Sequence, residues 1–387
     1  MLLSLLRNFS LLCCLAPSAL GAQGFVAGRV LDASAGDPIP YATVYFDGTT
    51  IGTTTDEAGA YRLPLGDIRL PATLVVTHLS FTAATRQIAK EGAQPEWILS
   101  AAVNEFAAVE VGDRNNRAEN LKEFREAFLG VDEWGRSAKL ENTDRLMFDR
   151  TYLTDTLHNA QVIAERYGLP DDLRAAQWSL DGTSLTFERA ADLRVSSLGP
   201  LTVEVPALGY RISAGGLRYT LDYAKGSTVG LGTFFFQPYE GRDGRPKKKH
   251  VRNRRKAYYA SSQHFLRALY NGRLAEEGYA TFESVDGDPI PIDLSQHLRY
   301  GDEGAKTFTG LTGKKIAIIY FHDRRGQPLP PDRRGRASYV TSYLFVNGED
   351  TAFRRDGTVG ANPPAFSGPM GMQPVTRMLP SDYSPAD

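Results

Sequence analysis

Cysteine is almost missing from this chain of 387 residues: Cys13 and Cys14 are its only two, and both lie near the N-terminus. Residues 1–22, MLLSLLRNFSLLCCLAPSALGA, place one positive charge at Arg7 before an apolar stretch from Phe9 to Leu15, then Pro17 and small residues from Ala19 to Ala22. That order predicts a secretory leader cut after Gly21 or Ala22. The exported chain then holds no cysteine, which excludes disulfides and thiolate metal sites even where export would permit them. A lipidated N-terminus fits less well, because Leu12 precedes Cys13 and Cys13 precedes Cys14 where a lipoprotein signal has a small residue.

Long apolar runs are also lacking. Nothing after the leader approaches the ~20 residues of a membrane helix, and alternating ten-residue strands are too few for a transmembrane barrel. Neither sign of charge is in excess: 44 Lys+Arg face 45 Asp+Glu, and loss of Arg7 leaves 43 against 45, a charge of −2. General attraction to a polyanion is therefore not built in, and nucleic acid is not expected as a partner of an exported chain. Hydrophobic residues at 42% and charged residues at 23% suit a packed globular protein.

Histidine is scarce, and its spacing argues against a zinc hydrolase. None of the six histidines has a carboxylate three residues on, and H-E-x-x-H does not occur. No metal or cofactor is expected. Ser262 and His264 are neighbours, yet residues two apart on a helix point in different directions, and no G-x-S-x-G elbow exists. The remaining enzymatic alternative is a hydrolase assembled from distant residues, with His264 or His322 beside nearby acids.

What is present is β patterning. Period-two alternation over Val26–Val30 and Ala42–Phe46, and strand candidates at Thr73–His78, Arg86–Ile88, Glu96–Leu99 and Val109–Val111, predict about seven short strands in some ninety residues. The Asp56–Gly59 turn before Tyr61-Arg62-Leu63 reads as a hairpin. That density is the spacing of a sandwich.

The stretch GRVLDASAGDPIPYATVYFDGTTIGTTTDEAGAYRLPL, with its G-x-V, P-x-x-Y-A-x-V and T-x-x-x-G-x-Y spacings, resembles the carboxypeptidase regulatory-like domain over roughly residues 24–111. The resemblance implies a seven-stranded transthyretin-like β-sandwich that serves folding or interaction and carries no chemistry of its own.

Residues 112–120, GDRNNRAEN, read as a linker. The remainder, 121–387, reads as a β-rich domain with a few helices, so the chain as a whole is mainly β with an α+β C-terminal part. Leu121, Phe124, Phe128 and Leu129 mark a short amphipathic helix stopped by Gly130. Leu157, Ala160, Ile163, Ala164 and Tyr167 mark a second over Thr154–Tyr167. Six short runs between Trp178 and Phe236 predict a mostly antiparallel sheet. Gly226-Ser-Thr-Val-Gly230-Leu-Gly232 leads into Thr233–Phe236 rather than a helix, so it predicts a hairpin and not a phosphate loop. Helical spacing runs from Tyr258 to Leu274, stopped by Gly278, and Lys314–His322 and Ser338–Asn347 are the strongest strand candidates of the C-terminal part.

Basic character concentrates in Arg245–Lys256, with eight Lys or Arg in twelve positions. Lys247, Lys248, Lys249, Arg252, Arg254, Arg255 and Lys256 are the candidate anion-binding residues, suited to outer-membrane phosphates. The arginine-rich loop Asp323–Arg336 is a second basic surface.

ENLKEFREAFLG, ALGYRISAGGLRYTLDY, RKAYYASSQHFLRALYNGRLAEEGY and LPSDYSP resemble uncharacterised Bacteroidetes envelope proteins that pair the regulatory-like sandwich with a β-rich domain, over roughly residues 117–383, with 154–176 departing from that pattern. Together the two resemblances imply an exported, periplasmic or outer-membrane-associated, non-enzymatic binding module whose partner is an envelope protein or glycan.

Overall fold

The computed structural model describes residues 24–102, 117–169, 174–241, 245–285, 287–301, 304–335, 337–360 and 362–385. The leader, the expected strand Val109–Val111 and most of the expected linker lie outside them.

The N-terminal unit is a sandwich of β1 (Phe25–Asp32), β2 (Thr43–Phe46), β3 (Gly52–Thr54), β4 (Ala60–Pro64), β5 (Ala72–His78), β6 (Phe81–Ile88), β7 (Gly92–Ala93) and β8 (Trp97–Leu99). One sheet runs β4-β1-β7 with β8 also on β1, and the other runs β3-β2-β5-β6. Alternation places Val26, Val30, Val44, Phe46, Leu63, Leu74, Val76 and Trp97 between them. Six of the seven expected strands are in place, the seventh lies outside the described residues, and among the described residues the short β3 and β7, which show no period, are added. The expected hairpin at Asp56–Gly59 is corrected. The turn is tight, with Asp56 Oδ1 accepting from Ala58 N and Ala60 N at 2.9 Å, but β3 pairs with β2 and β4 with β1. It is a crossing between sheets. Gly59 makes it at φ +69°, where a Cβ would lie 2.6 Å from the Val30 carbonyl oxygen.

The next unit begins with α1 (Arg117–Leu129) and α2 (Glu133–Ser137), followed by β9 (Lys139–Glu141), β10 (Leu146–His158), α3 (Ala160–Tyr167), β11 (Arg174–Trp178), β12 (Ser184–Ser197), β13 (Leu201–Val205), β14 (Tyr210–Asp222) and β15 (Ser227–Pro238). Helix α1 starts inside the span read as linker and stops at Gly130, φ +86°. Its Phe124 and Phe128 pack on the antiparallel sheet β10-β12-β14-β13-β9, which also carries β11 and β15. The expected helix over Thr154–Tyr167 is half wrong: Thr154–His158 finish β10, paired with Ser184–Glu188 of β12. Only Ala160–Tyr167 is helical. The glycine-rich stretch is the start of β15 in a hairpin with β14, as expected.

Helices α4 (Lys248–Tyr258) and α5 (Ser262–Tyr270) lead to β16 (Tyr279–Val285), β17 (Asp288–Pro291), β18 (Leu298–Tyr300), β19 (Lys306–Phe308), β20 (Lys315–His322), β21 (Ser338–Phe345), β22 (Ala352–Phe353) and β23 (Ala365–Ser367). The single helical run expected from Tyr258 to Gly278 is broken by Ala260 at φ +65° and ends at Tyr270. Ser261 restarts the helix, its hydroxyl accepting from His264 N. The two strands expected at Lys314–His322 and Ser338–Asn347 are present as β20 and β21, and they pair with each other from Lys315–Phe345 to His322–Ser338. Phe265, Leu266 and Leu269 of α5 pack against this sheet.

The sandwich is seated on the central sheet. Tyr45 stacks on Phe235 with ring centroids 4.9 Å apart, and its hydroxyl lies 3.0 Å from that of Thr233. Gly48 N donates to Phe234 O at 2.7 Å and Phe236 N to Thr49 O at 3.0 Å, a short parallel bridge. Ser381 N closes on Gly48 O at 2.7 Å, so the C-terminal segment clasps the same loop.

Candidate functional site

Helix α4 sorts the basic run into two faces. His250, Asn253, Arg254, Ala257 and Tyr258 are buried, while Lys247, Lys248, Lys249, Arg252, Arg255 and Lys256 are exposed. None of these six is in an ion pair among the described residues. Arg254 does not belong with them. It is 8% exposed, donates from Nε to Leu208 O at 2.8 Å and from Nη2 to Gly209 O at 3.1 Å, and lies 3.9 Å above the Tyr210 ring. It fastens α4 to the β13–β14 turn, and burial holds its pKa below the ordinary value. That turn can reach α4 because Gly209 has no Cβ: one would sit 2.1 Å from His250 Nδ1.

Arg254 also lines a cavity of about 280 Å³ with Tyr239, Asp382 and Tyr383. This cleft lies where the sandwich, the central sheet and the C-terminal segment meet. The Asp382 carboxylate accepts from Thr50 N at 3.1 Å and from the Thr50 hydroxyl, so the acid is committed to the seam.

His264 is 2% exposed. Its Nδ1 accepts from Tyr279 Oη at 2.8 Å and from Ala260 N at 3.4 Å, which leaves the proton on Nε2, donated to Glu277 Oε2 at 3.2 Å. Tyr258, Tyr259 and Tyr320 surround the ring. Burial pushes the His264 pKa down and that of Tyr279 well up, and the hydrogen bond from His264 holds Glu277 down. The neighbouring serine that meets the histidine is Ser261, through the backbone, and not Ser262. Both nitrogens of the imidazole are occupied, so the arrangement fixes α5 against β16. His322 stacks on Tyr320, and its Nδ1 lies 2.8 Å from Asp323 O.

Because His264 is neutral in the fold and protonates below its ordinary pKa of 6.5, the unfolded chain binds more protons on acidification. Stability contributed by this group is fully present above pH 6.5 and is lost as pH falls toward the depressed folded value. His250, also held down by burial, adds to the same window. Urea unfolding at pH 7.5 and 5.5 should show a lower midpoint at pH 5.5, and His264→Gln should flatten that slope while lowering the midpoint at both pH values. An unchanged slope would contradict a buried neutral imidazole.

The Asp323–Arg336 loop is less free than its composition suggests. Arg334 donates to Tyr279 O at 3.0 Å and lies over Phe321, whereas Arg324, Arg325 and Arg333 are exposed. No group of three His, Cys, Asp or Glu side chains is placed to hold a metal among the described residues, and no described helix is long and apolar enough to cross a membrane.

One feature had no sequence signal. β12 pairs with β14 only over Asp192–Ser196, but its ladder with β10 continues to Ser184, and β11 takes the place of β14 on its other side. The result is an arm, capped by α3, that runs past the end of β14. It exposes Leu153, Val162, Tyr167 (77%), Trp178 (47%) and Leu180.

Residues 26–111 match the model of the CarboxypepD_reg-like domain. The N-terminal sandwich is that domain. The match ends before α1, so it covers β1–β8 and leaves the central sheet, the arm and the C-terminal sheet unassigned. No curated protein matches the chain. Among solved structures, a cohesin–X-dockerin complex of Acetivibrio cellulolyticus aligns at 18% identity and a TM-score of 0.18, over 20% of this chain and 58% of that one. A membrane-associated protein of unknown function from Bacteroides fragilis aligns at 9% identity and a TM-score of 0.16, over 55% and 94%. The major pilin subunit of Bacillus cereus aligns at 7% and 0.14, over 89% and 94%. The chain thus spans 58% of the first of these structures, and at such scores nothing about partners carries across.

Proposed function

We propose that this chain is an exported cell-envelope protein that works by surface contact and not by catalysis, with its CarboxypepD_reg-like domain and β-rich remainder forming one rigid binding module. The observation that carries this reading is the arm: over the short span from α3 to the turn after β11 it exposes four large apolar side chains, Val162, Tyr167, Trp178 and Leu180, and exposed apolar surface concentrated on one element marks interaction sites in soluble proteins. Tyr167 at the end of α3 and Trp178 at the end of β11 are of the residue types that dominate binding energy at interfaces. The leader in residues 1–22 supports export, and an envelope protein or glycan is the class of partner. The sequestered imidazole of His264 supports the non-enzymatic part of the reading.

A photo-reactive residue at position 180 should crosslink one dominant partner in envelope extracts. The Tyr167→Ala/Trp178→Ala variant should retain that partner at least ~30-fold more weakly with an unchanged thermal midpoint, the effect of losing one hot spot of about 2 kcal/mol. Equal retention by the variant would overturn the arm as the contact. Hydrolytic turnover by the purified chain that His264→Ala abolishes would overturn the non-enzymatic reading.

A further inference from the structure

The exposed cations of α4 make a surface that the CarboxypepD_reg-like domain and the arm leave unexplained. At 100° per residue, Lys248, Lys249, Arg252, Arg255 and Lys256 fall within an arc of about 120°, and the buried residues of α4 occupy the opposite side. From Lys248 to Lys256 the face is about 12 Å long. These side chains are exposed on one side of the helix and line none of the three cavities described, so they suit a flat array of negative charges and not a single small anion.

The arrangement costs the fold stability. Cations are favourable at a helix C-terminus and unfavourable at its N-terminus, yet Lys248 and Lys249 fill the first turn of α4, Lys247 is the N-cap without a capping side-chain bond, and no acid lies in that turn. Lys248–Arg252 and Arg252–Lys256 are like-charge pairs at i,i+4, each destabilising to the helix. Several exposed cations elsewhere are paired with acids, as in Arg189–Asp155 at 2.7 Å and Lys225–Asp222 at 3.0 Å. Arg255 and Lys256 are compensated, since they sit in the last turn, Arg255 donates to Pro385 O at 3.1 Å and Lys256 lies 5.8 Å from the Trp134 ring centroid. Lys248, Lys249 and Arg252, however, have no ion pair among the described residues, and a local rule broken in that first turn points to a surface kept for something outside the fold. With a chain that is nearly neutral overall, attraction from this face is local, because at physiological salt the field decays over about 8 Å.

We infer that the outward arc of α4 docks the protein on an anionic lipid surface, with phospholipid phosphates neutralising Lys248, Lys249, Arg252, Arg255 and Lys256. Contact is electrostatic and reversible, since no exposed apolar residue of α4 lies within the arc to enter the acyl region. The site depends on α4 and not on the arm, so its failure leaves the preceding proposal standing.

The test uses the exported form of the full chain with vesicles of phosphatidylglycerol and phosphatidylcholine, and with phosphatidylcholine alone. Binding should require the anionic lipid and weaken at least ~10-fold between 50 and 200 mM salt. In Lys248→Glu/Lys249→Glu, four units of charge change near the surface, and affinity should fall by roughly 100-fold or more. The same variant should keep or raise the thermal midpoint, by about 1–3 °C, because it places acids in the first turn. This opposition of signs separates a binding face from a structural one. Neutralising Lys90, Arg166, Arg218 and Arg299, exposed cations elsewhere, should leave binding within 3-fold. Equal binding to neutral vesicles, equal loss in that control, or binding of soluble tripolyphosphate with no binding to vesicles would each overturn the inference.

Discussion

Phe124→Ala should destabilise the protein by about 3–5 kcal/mol, the cost of deleting a fully buried aromatic ring whose surroundings relax only in part. Phe124 is 0% exposed. It stacks on Phe128 with centroids 5.0 Å apart and meets Tyr219 edge-on at 5.4 Å and Phe148 at 6.4 Å. The same core holds Trp134 from α2 and Val375 near the C-terminus, so the ring joins segments some 250 residues apart in the chain. Urea unfolding of wild type and variant measures the change, with exposed Glu126→Ala as a control expected within about 0.5 kcal/mol. A loss below about 1 kcal/mol for Phe124→Ala would mean that α1 does not plug the central sheet.

The second large effect falls on the seam between the CarboxypepD_reg-like domain and the central sheet. Tyr45→Ala should also cost about 3–5 kcal/mol, because Tyr45 is 0% exposed, stacks on Phe235 and touches only Val75 and Phe235 in its own small cluster. Its hydroxyl pKa is raised by burial, with the bond to Thr233 opposing that shift, so the group stays protonated and keeps its partner. Asp47 is also raised by burial, while Phe234 N donates to its carboxylate at 2.8 Å. Hydrogen exchange should locate the loss: the amides of Gly48, Phe234 and Phe236, whose bonds cross the seam, should exchange far faster in the variant, while those of β20 should not. A double cycle with Phe235→Ala should return a coupling of about 0.5–1.5 kcal/mol. A sandwich that unfolds as a separate transition, with the same midpoint in wild type and variant, would show that the two units do not support each other.

Part of this architecture is visible in local spacing. The alternation of Val44 and Phe46, the stripe Leu121–Phe124–Phe128 and the run Lys314–His322 each name the element that the structure contains, because side-chain direction repeats every two residues in a strand and every 3.6 in a helix. The same rule misleads at Thr154–His158, where Leu157 joins Ala160, Ile163 and Tyr167 in an apparent helical stripe. The thirteen-residue ladder with β12 wins there, because strand pairing satisfies every backbone group of β10 on one side and a short isolated helix is marginal in water. The basic run shows the other limit. Composition marks Lys247–Lys256, but only packing against the β13–β14 turn removes Arg254 from the surface and leaves Lys248, Lys249, Arg252, Arg255 and Lys256 on one arc.

From its residues alone the chain settles its mainly β character, the regulatory-like sandwich over β1–β8, the amphipathic α1 and the place where positive charge gathers, since all of these arise from neighbours a few positions apart. Tertiary structure decided the rest: that Gly59 turns between sheets, that Glu277 and Tyr279 lock His264, that β10–β12 project as an arm, and that Tyr45 and Thr233, 188 positions apart, share a hydrogen bond. Those outcomes depend on which surfaces remain to be covered once the elements have formed, and burial of apolar area carries no record of chain distance.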